Sequence, residues 1–341
     1  NDSMLDTNGK ASFVIESVFF SGAGGANTAN HGIVLGTTDL SSVRNCWVEG
    51  AGGSGIVLSA ATRCLVTGNF CSSNLADGIN LQGVSTDNVI MGNVCKSNSK
   101  AGINVLSSDD NLISCNVCFS NTEDGITTSN SDYCVVIGNR CYLNTLSGIF
   151  INNGSARNTV TGNLCRANVR HGIRFVASDN CVISGNVCAE NDSANAALYD
   201  GIIINTSDYC VVSGNRCLEN DRDEIRIDDS GSVSCVVEGN IVIGTDHDAA
   251  IVDNGTATLL SDNLTVSGFA PPVERKRGSD CTGADGAVYR TLVLQAAPSG
   301  LLVFKNGQLL TLTTDYTLSV ATITFLFGID NPYFITAHYA T

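Results

Sequence analysis

The chain has 341 residues, 43% of them hydrophobic and 15% charged, with 35 glycines, 4 prolines and a formal net charge of -15. That is enough apolar content for a sizeable core, and the acidic balance argues against nucleic acid or an anionic membrane surface as partner. No apolar stretch approaches the roughly 18 residues of a membrane-spanning helix, so no membrane insertion is expected.

The chain opens on Asn1-Asp-Ser-Met without the positive segment of a leader peptide and reads as a fragment or processed product. From about Phe13 a phrase G-N-x-C-x-x-N, followed by G-I, recurs every 23 or 24 residues. Its first Asn falls in a column running Asn45, Asn69, Asn93, Asn116 and onward to Asn263, and two residues later Cys71, Cys95, Cys118, Cys141, Cys165, Cys188 and Cys217 form an unbroken run. A second Asn column runs from Asn74 to Asn220, and a mixed Cys/Asn column from Cys64 to Cys235. Apolar residues alternate within each unit in runs of a few residues, bounded by Asn, Asp, Ser or Gly, which is the pattern of short strands and turns. A repeat of this length predicts coils stacked in parallel at about 4.8 Å, each burying one inward face. The expected fold is all-β: a right-handed parallel β-helix of the pectate-lyase-like kind over residues 1–270, with about ten or eleven coils.

In such coils the Asn columns read as turn residues that tolerate the left-handed backbone region and hydrogen-bond to their copies above and below. The sequence contains 15 cysteines, most of them in these columns. Stacked side chains about 4.8 Å apart are poorly placed for disulfides, so the thiols read as small core hydrophobes. Cys115-Asn-Val-Cys118 has half the spacing of a zinc site with no second pair to complete it, and no metal or other cofactor is expected. Gly50-Ala-Gly-Gly-Ser-Gly55 falls on a turn with no helix behind it, so it is not a phosphate loop. Trp47, with Phe19 or Phe20 one coil earlier, reads as core fill or cap in the Cys column's place.

Function is expected on outward columns where the repeat breaks. The residue before the Gly of G-I runs Ser54, Asp77, Ala101, Asp124, Ser147, His171, Asp200 and Asp223, and the second residue after it includes Phe150, Arg174, Ile203 and Arg226. His171, Asp200 and Asp223 are thus expected one coil apart, with Arg174 and Arg226 flanking Ile203 and with Arg170 and Glu224 adding charge. From Asn186 to Asn215 the spacing stretches to 29 residues, so Asp192 to Tyr199 forms a loop beside this patch; such loops commonly line binding sites. Two carboxylates about 5 Å apart suit a retaining glycosidase, and an Arg beside a general base suits β-elimination of a uronate. The candidates are Asp200, Asp223 and His171 as catalysts, and Arg174, Arg226, Arg170, Glu224, Tyr199 and Phe150 as substrate contacts. Asp246-His247-Asp248 has the composition of a metal or acid/base site, but adjacent turn residues point in different directions.

After Asn263 the repeat fades. Residues 271–280, with Pro271-Pro272 and a basic cluster, read as a linker, and 281–341 as a small antiparallel β-sandwich-like domain. Its expected strands are Ala287 to Gln295, Leu301 to Leu310 around Lys305-Asn306-Gly307, Tyr316 to Phe327, and Tyr333 to Tyr339; the Asn-Gly pair signals a hairpin.

The stretch Leu302-Val-Phe-Lys-Asn-Gly-Gln-Leu-Leu310, then Thr314-Asp-Tyr-Thr317, then Ile323-Thr-Phe325, resembles a V-x-V-N-G-x-x-L, T-D-Y-T, I-T-F pattern of small β modules in bacteriophage tail fibres and tailspikes. The resemblance covers the last fifth of the chain and departs from the pattern at Gly328-Ile-Asp-Asn-Pro332, which stands in place of a proline-rich loop. Tailspikes also carry parallel β-helices. The resemblance implies a homotrimer of the virion tail, acting outside the cell, that binds a bacterial surface polysaccharide and leaves depolymerisation open. Two other functions fit the β-helix: a secreted polysaccharide lyase or C5-epimerase, against which the absence of an Asp-Pro-His-Asp motif counts, and a structural spacer.

Overall fold

Short runs of alternating side chains can bury only one face, and here they do so by stacking on their own copies. The computed structural model describes residues 5–7, 9–22, 30–193, 198–243 and 251–266, together with the C-terminal strands named below. Every repeat contributes three strands to three parallel sheets of eleven strands each. Sheet A runs from Leu5–Asp6 to Ile251–Asp253, sheet B from Val14–Glu16 to Leu259–Ser261, and sheet C from Phe19–Ser21 to Leu264–Val266. The register is one coil throughout, as in Ile103↔Ile126, Ile113↔Val136 and Cys118↔Cys141.

The core is the set of inward columns: Ile and Leu with one Phe175 in sheet A, Val and Ile in sheet B, and the cysteines in sheet C. Fourteen cysteines among the described residues are free, and all but Cys115 are buried. Their small size answers to the neighbouring Gly of G-I. A Cβ at Gly102 would lie 2.6 Å from Gly125 O and 2.9 Å from Cys118 Cβ, so this corner admits only a glycine against a small side chain.

The asparagines sit beside the left-handed positions, not on them. Positive φ falls on the residue before each ladder position, such as Gly92 before Asn93, Cys115 before Asn116 and Ser120 before Asn121. The Asn is chosen for its amide. Asn116 Oδ1 accepts from the backbone N–H of Asn93 at 2.9 Å and from its Nδ2 at 3.0 Å, while Asn116 Nδ2 donates to Ile90 O at 2.8 Å and to Asn139 Oδ1 at 3.0 Å. Every polar atom of the buried side chain is satisfied, and each coil is tied to those on both sides.

At the N-terminal end the register differs from the sequence reading by one residue. Cys46, not Asn45, occupies the ladder position, since its N–H donates to Asn69 Oδ1 at 2.9 Å; Asn45 takes the left-handed position that glycines occupy in later coils. Val48 therefore pairs with Cys71 in the core, and Trp47 points outward between Phe19 and Phe70, 44% exposed. It is not core fill.

Contacts divide the chain into two compact units, Asn1–Thr265 and Val266–Thr341. In the second unit, Glu274–Arg277, Gly300–Lys305, Gln308–Leu309 and Phe334–Ala340 form one antiparallel sheet, and Thr291–Val293, Tyr316–Ser319 and Thr322–Phe325 form another. The expected hairpin is present, with Lys305 paired to Gln308. Two expectations differ. The segment read as a linker contributes Glu274–Arg277 to a sheet, pairing with residues 334–337. The single strand expected from Tyr316 to Phe327 is a hairpin, Tyr316 pairing with Phe325, because Thr-Leu-Ser and Thr-Ile-Thr alternate equally well on either side of its turn.

Candidate functional site

Stacking by one coil brings three lines of side chains together where the period lengthens. Arg170, Tyr199 and Arg222 follow one another on the corner line, shown by the bond from Arg222 N–H to Tyr199 O at 3.2 Å. His171, Asp200 and Asp223 follow on the next line, with Gly172 N–H on Asp200 O and Gly201 N–H on Asp223 O. On the outward face of sheet A, Phe150, Arg174, Ile203 and Arg226 stand in register. The 29-residue coil is anchored at its base. Asp192 N–H bonds to Arg170 O, and Asp192 Oδ2 accepts from the amides of Leu198 and Tyr199 at 2.8 and 3.2 Å.

The line through His171 has a structural task that runs the length of the helix. At alternate coils a side chain on it accepts the amide of the next coil: His31 Nδ1 from Ser54, Asp77 from Ala101, Asp124 from Ser147, and His171 Nδ1 from Asp200 at 2.9 Å. With Nδ1 taken by an N–H donor, His171 is neutral with its proton on Nε2, and burial likewise lowers its pKa. Asp200 Oδ2, 3.3 Å from the same nitrogen, gains no proton from it. The expected role of His171 as a general base is therefore replaced by amide capping. Burial raises Asp77 and Asp124 on the same line to about 6.

Asp200 and Asp223 are brought together, but inside an ion network. Arg222, which the sequence reading passed over, clamps Asp200 with Nε to Oδ1 at 2.7 Å and Nη2 to Oδ2 at 2.5 Å. Arg226 donates Nε to Asp223 Oδ2 at 2.7 Å, bonds the same oxygen through Nη2, and lies 3.6 Å from Asp200 Oδ1 and 3.8 Å from Asp228. The two carboxyls diverge: burial would raise Asp200, but the paired Arg222 bonds outweigh it and hold it low, whereas burial keeps Asp223 raised against Arg226. Because His171 Nδ1 is occupied, Arg222 is the decisive partner of Asp200. Both carboxylate side chains have 0% exposure, so neither can touch a glycosidic oxygen in this arrangement. In this arrangement the pair serves the fold, and Arg226 bonds to it.

Glu224 is also turned away. It is 1% exposed and its carboxyl receives Asn220 Nδ2 at 2.5 Å and Asn220 N–H at 3.3 Å, so it closes the second Asn ladder where no further Asn follows. Burial raises it from 4.5 to about 8. A raised acid binds its proton in the folded state where the unfolded chain has lost it, so stability falls as pH rises from about 4.5 to about 8. Glu224→Gln should remove that fall, read as urea midpoints at pH 5 and pH 8.5; an unchanged difference between the two would refute the assignment.

What remains accessible is Arg170, Arg174, Tyr199 and Phe150. The Arg174 guanidinium lies 4.8 Å over the Phe150 ring and that of Arg170 5.6 Å over Tyr199, whose ring meets His171 edge-on at 5.0 Å. Asp246-His247-Asp248 lies outside the described residues.

With this geometry in view, comparisons place the chain. Residues 31–188 match the family described as right handed beta helix region, and residues 166–270 match periplasmic copper-binding protein (NosD). The A-module of mannuronan C-5 epimerase AlgE6 from Azotobacter vinelandii superposes with a TM-score of 0.59 at 17% identity, covering 75% of this chain and 74% of that one. The fold is a right-handed parallel β-helix. The periplasmic alginate epimerase AlgG gives a TM-score of 0.56 at 17% identity over 76% of this chain and 60% of its own, and the Dettilon tailspike protein 0.52 at 13% over 97% and 87%. A search of curated proteins found no match. Among the described residues no three His, Cys, Asp or Glu side chains are gathered to hold a metal ion.

Proposed function

We propose that the protein is a tailspike-type trimer that binds a bacterial surface polysaccharide outside the cell, along the outward face of sheet A beside the 29-residue coil. The observation that carries this reading is the pair of aromatic-backed guanidiniums, Arg174 on Phe150 and Arg170 on Tyr199, on a rigid face next to the 29-residue coil. Aromatic faces stack on sugar rings, and fixed guanidiniums bond to their oxygens. Support for a tailspike over an epimerase comes from coverage: the tailspike match takes in 97% of the chain and so extends past Thr265, whereas the epimerase matches take in 75 to 76%. Trimerisation is supported by sheet B, whose first outward column carries no charged residue from Val14 through Leu65, Val135 and Val182 to Leu259. An uncharged strip along a chain of net charge -15 suits contact between copies.

Cleavage is not assigned to Asp200, Asp223 or His171, because each is committed to the fold. The test is a binding panel of capsular and extracellular polysaccharides, with release of reducing or unsaturated ends followed alongside sedimentation. Binding that weakens several-fold in Phe150→Ala is the expected result. A chain that sediments as a monomer and binds none of the panel would sink the reading.

A further inference from the structure

Arg170 and Arg174 differ from the other arginines of the site. Arg222 and Arg226 are engaged by Asp200, Asp223 and Asp228, and Asp192 receives the amides of Leu198 and Tyr199. Neither the Arg170 nor the Arg174 guanidinium has a hydrogen bond or ion pair among the described residues, and Arg174 Nε is sealed from water without an acceptor. Arg174 is held below its usual value by burial first; the charges of Asp124 and Asp228 oppose that shift, and its cationic neighbour Arg170 adds to it. An acidic chain that leaves two neighbouring guanidiniums without a carboxylate in direct contact, each propped on an aromatic ring, keeps a strong anion-binding fork preorganised and unsatisfied.

We infer that the bound polysaccharide is acidic, and that an anionic substituent of one sugar residue is held between Arg170 and Arg174 while the ring of that residue or its neighbour lies against Phe150 or Tyr199. The inference rests on the polysaccharide-binding reading and adds the charge of the ligand. Carboxylate and sulfate substituents share this chemistry, since each presents paired oxygens to a guanidinium fork.

The test uses the full chain with polygalacturonate and alginate as carboxylated probes, dextran sulfate as the sulfated probe, and carboxyl-reduced polygalacturonate and dextran as neutral ones. Wild type should bind at least one acidic polymer about tenfold or more tightly than its neutral counterpart, and the arm that binds names the substituent. Arg170→Gln and Arg174→Gln should each cost about tenfold, corresponding to loss of one charge-assisted bond, with the thermal midpoint unchanged. Phe150→Ala should weaken acidic and neutral polymers alike. Neutral polymers bound as tightly as acidic ones, or a double Gln variant that binds acidic polymers like wild type, would overturn the acidic assignment while leaving polysaccharide binding intact. Sodium glucuronate and sodium sulfate, matched in ionic strength with chloride, give a readout without polymer. A rise of the thermal midpoint lost in both Gln variants supports the anion site even if no polymer binds; absence of both effects overturns it.

Discussion

Arg222→Met is expected to destabilise the protein by about 3 kcal/mol at neutral pH. The Asp200 side chain is fully buried and its two oxygens take the paired donors of Arg222, whose own side chain is 23% exposed. Removing one partner of a buried pair leaves a charge without compensation, at a cost of about 3 to 5 kcal/mol. The lower end applies because Arg226 Nε, 3.6 Å from Asp200 Oδ1, can take up part of the contact. The effect has a definite pH sign. In the wild type the Asp200 carboxyl is held below its ordinary value, so its contribution is present above that value and lost as pH falls through the lower folded value. In Arg222→Met the same carboxyl is raised by burial and protonates readily, so the gap between the two proteins should narrow on acidification. Asp200→Asn in the Arg222→Met background should recover most of the loss at pH 7. Denaturant unfolding at pH 7 and pH 4 reads both effects; a loss below about 0.5 kcal/mol at pH 7 would place the pair among ordinary surface ion pairs.

Arg222 also shows where sequence reasoning stops. Columns spaced by the repeat brought His171 to Asp200 and Asp200 to Asp223 correctly, because parallel stacking converts sequence period directly into spatial adjacency. They could not say which way a long side chain turns at a corner. Arg222 lies on the corner line with Arg170 and Tyr199, and it reaches across to the neighbouring line and back one coil to Asp200. Reading that third line beside the two charged ones would have found it. The fold contacts of His171 and Glu224 escaped the sequence for a related reason. Both were read as outward chemistry, yet each answers a backbone or ladder group that a stacked coil leaves open: the amide of Asp200 for His171, and the end of an Asn column for Glu224. Trp47 was misplaced because the column was aligned on Asn45, which takes the left-handed corner of its coil, and so ran one residue early there. Phe150 was legible from strand parity alone, and its contact with Arg174 follows from their one-coil register.

The ladder is what holds these columns in register, and its loss should be the most costly single change away from the site. Asn116→Ala should destabilise the chain by about 4 kcal/mol. The substitution strips the acceptor from two donors, the N–H and the Nδ2 of Asn93, and removes the donor from Ile90 O, all within the buried stack. Each buried polar group left unpaired costs about 1 to 3 kcal/mol, and Asn116 is fully buried. Asn116→Asp separates the two halves of the interaction. It keeps the oxygen that Asn93 needs but sets a carboxylate against Ile90 O and Asn139 Oδ1, which Asn116 Nδ2 now satisfies at 2.8 and 3.0 Å. Such a carboxyl is raised in the folded state, so the penalty should grow as pH climbs above the ordinary carboxylate value and shrink below it, where the protonated acid regains one donor. Asn254, whose Nδ2 reaches Asp228 O at 3.4 Å on the exposed surface, is the matching control, and Asn254→Ala should change stability by less than about 0.5 kcal/mol. Equal costs for the two alanine variants would mean that coil stacking is held by the apolar columns alone. A large cost at Asn116 confined to neutral pH in the Asp variant would tie the register of the outward face, and with it the placement of Phe150 and Arg174, to an amide ladder in the wall of the helix.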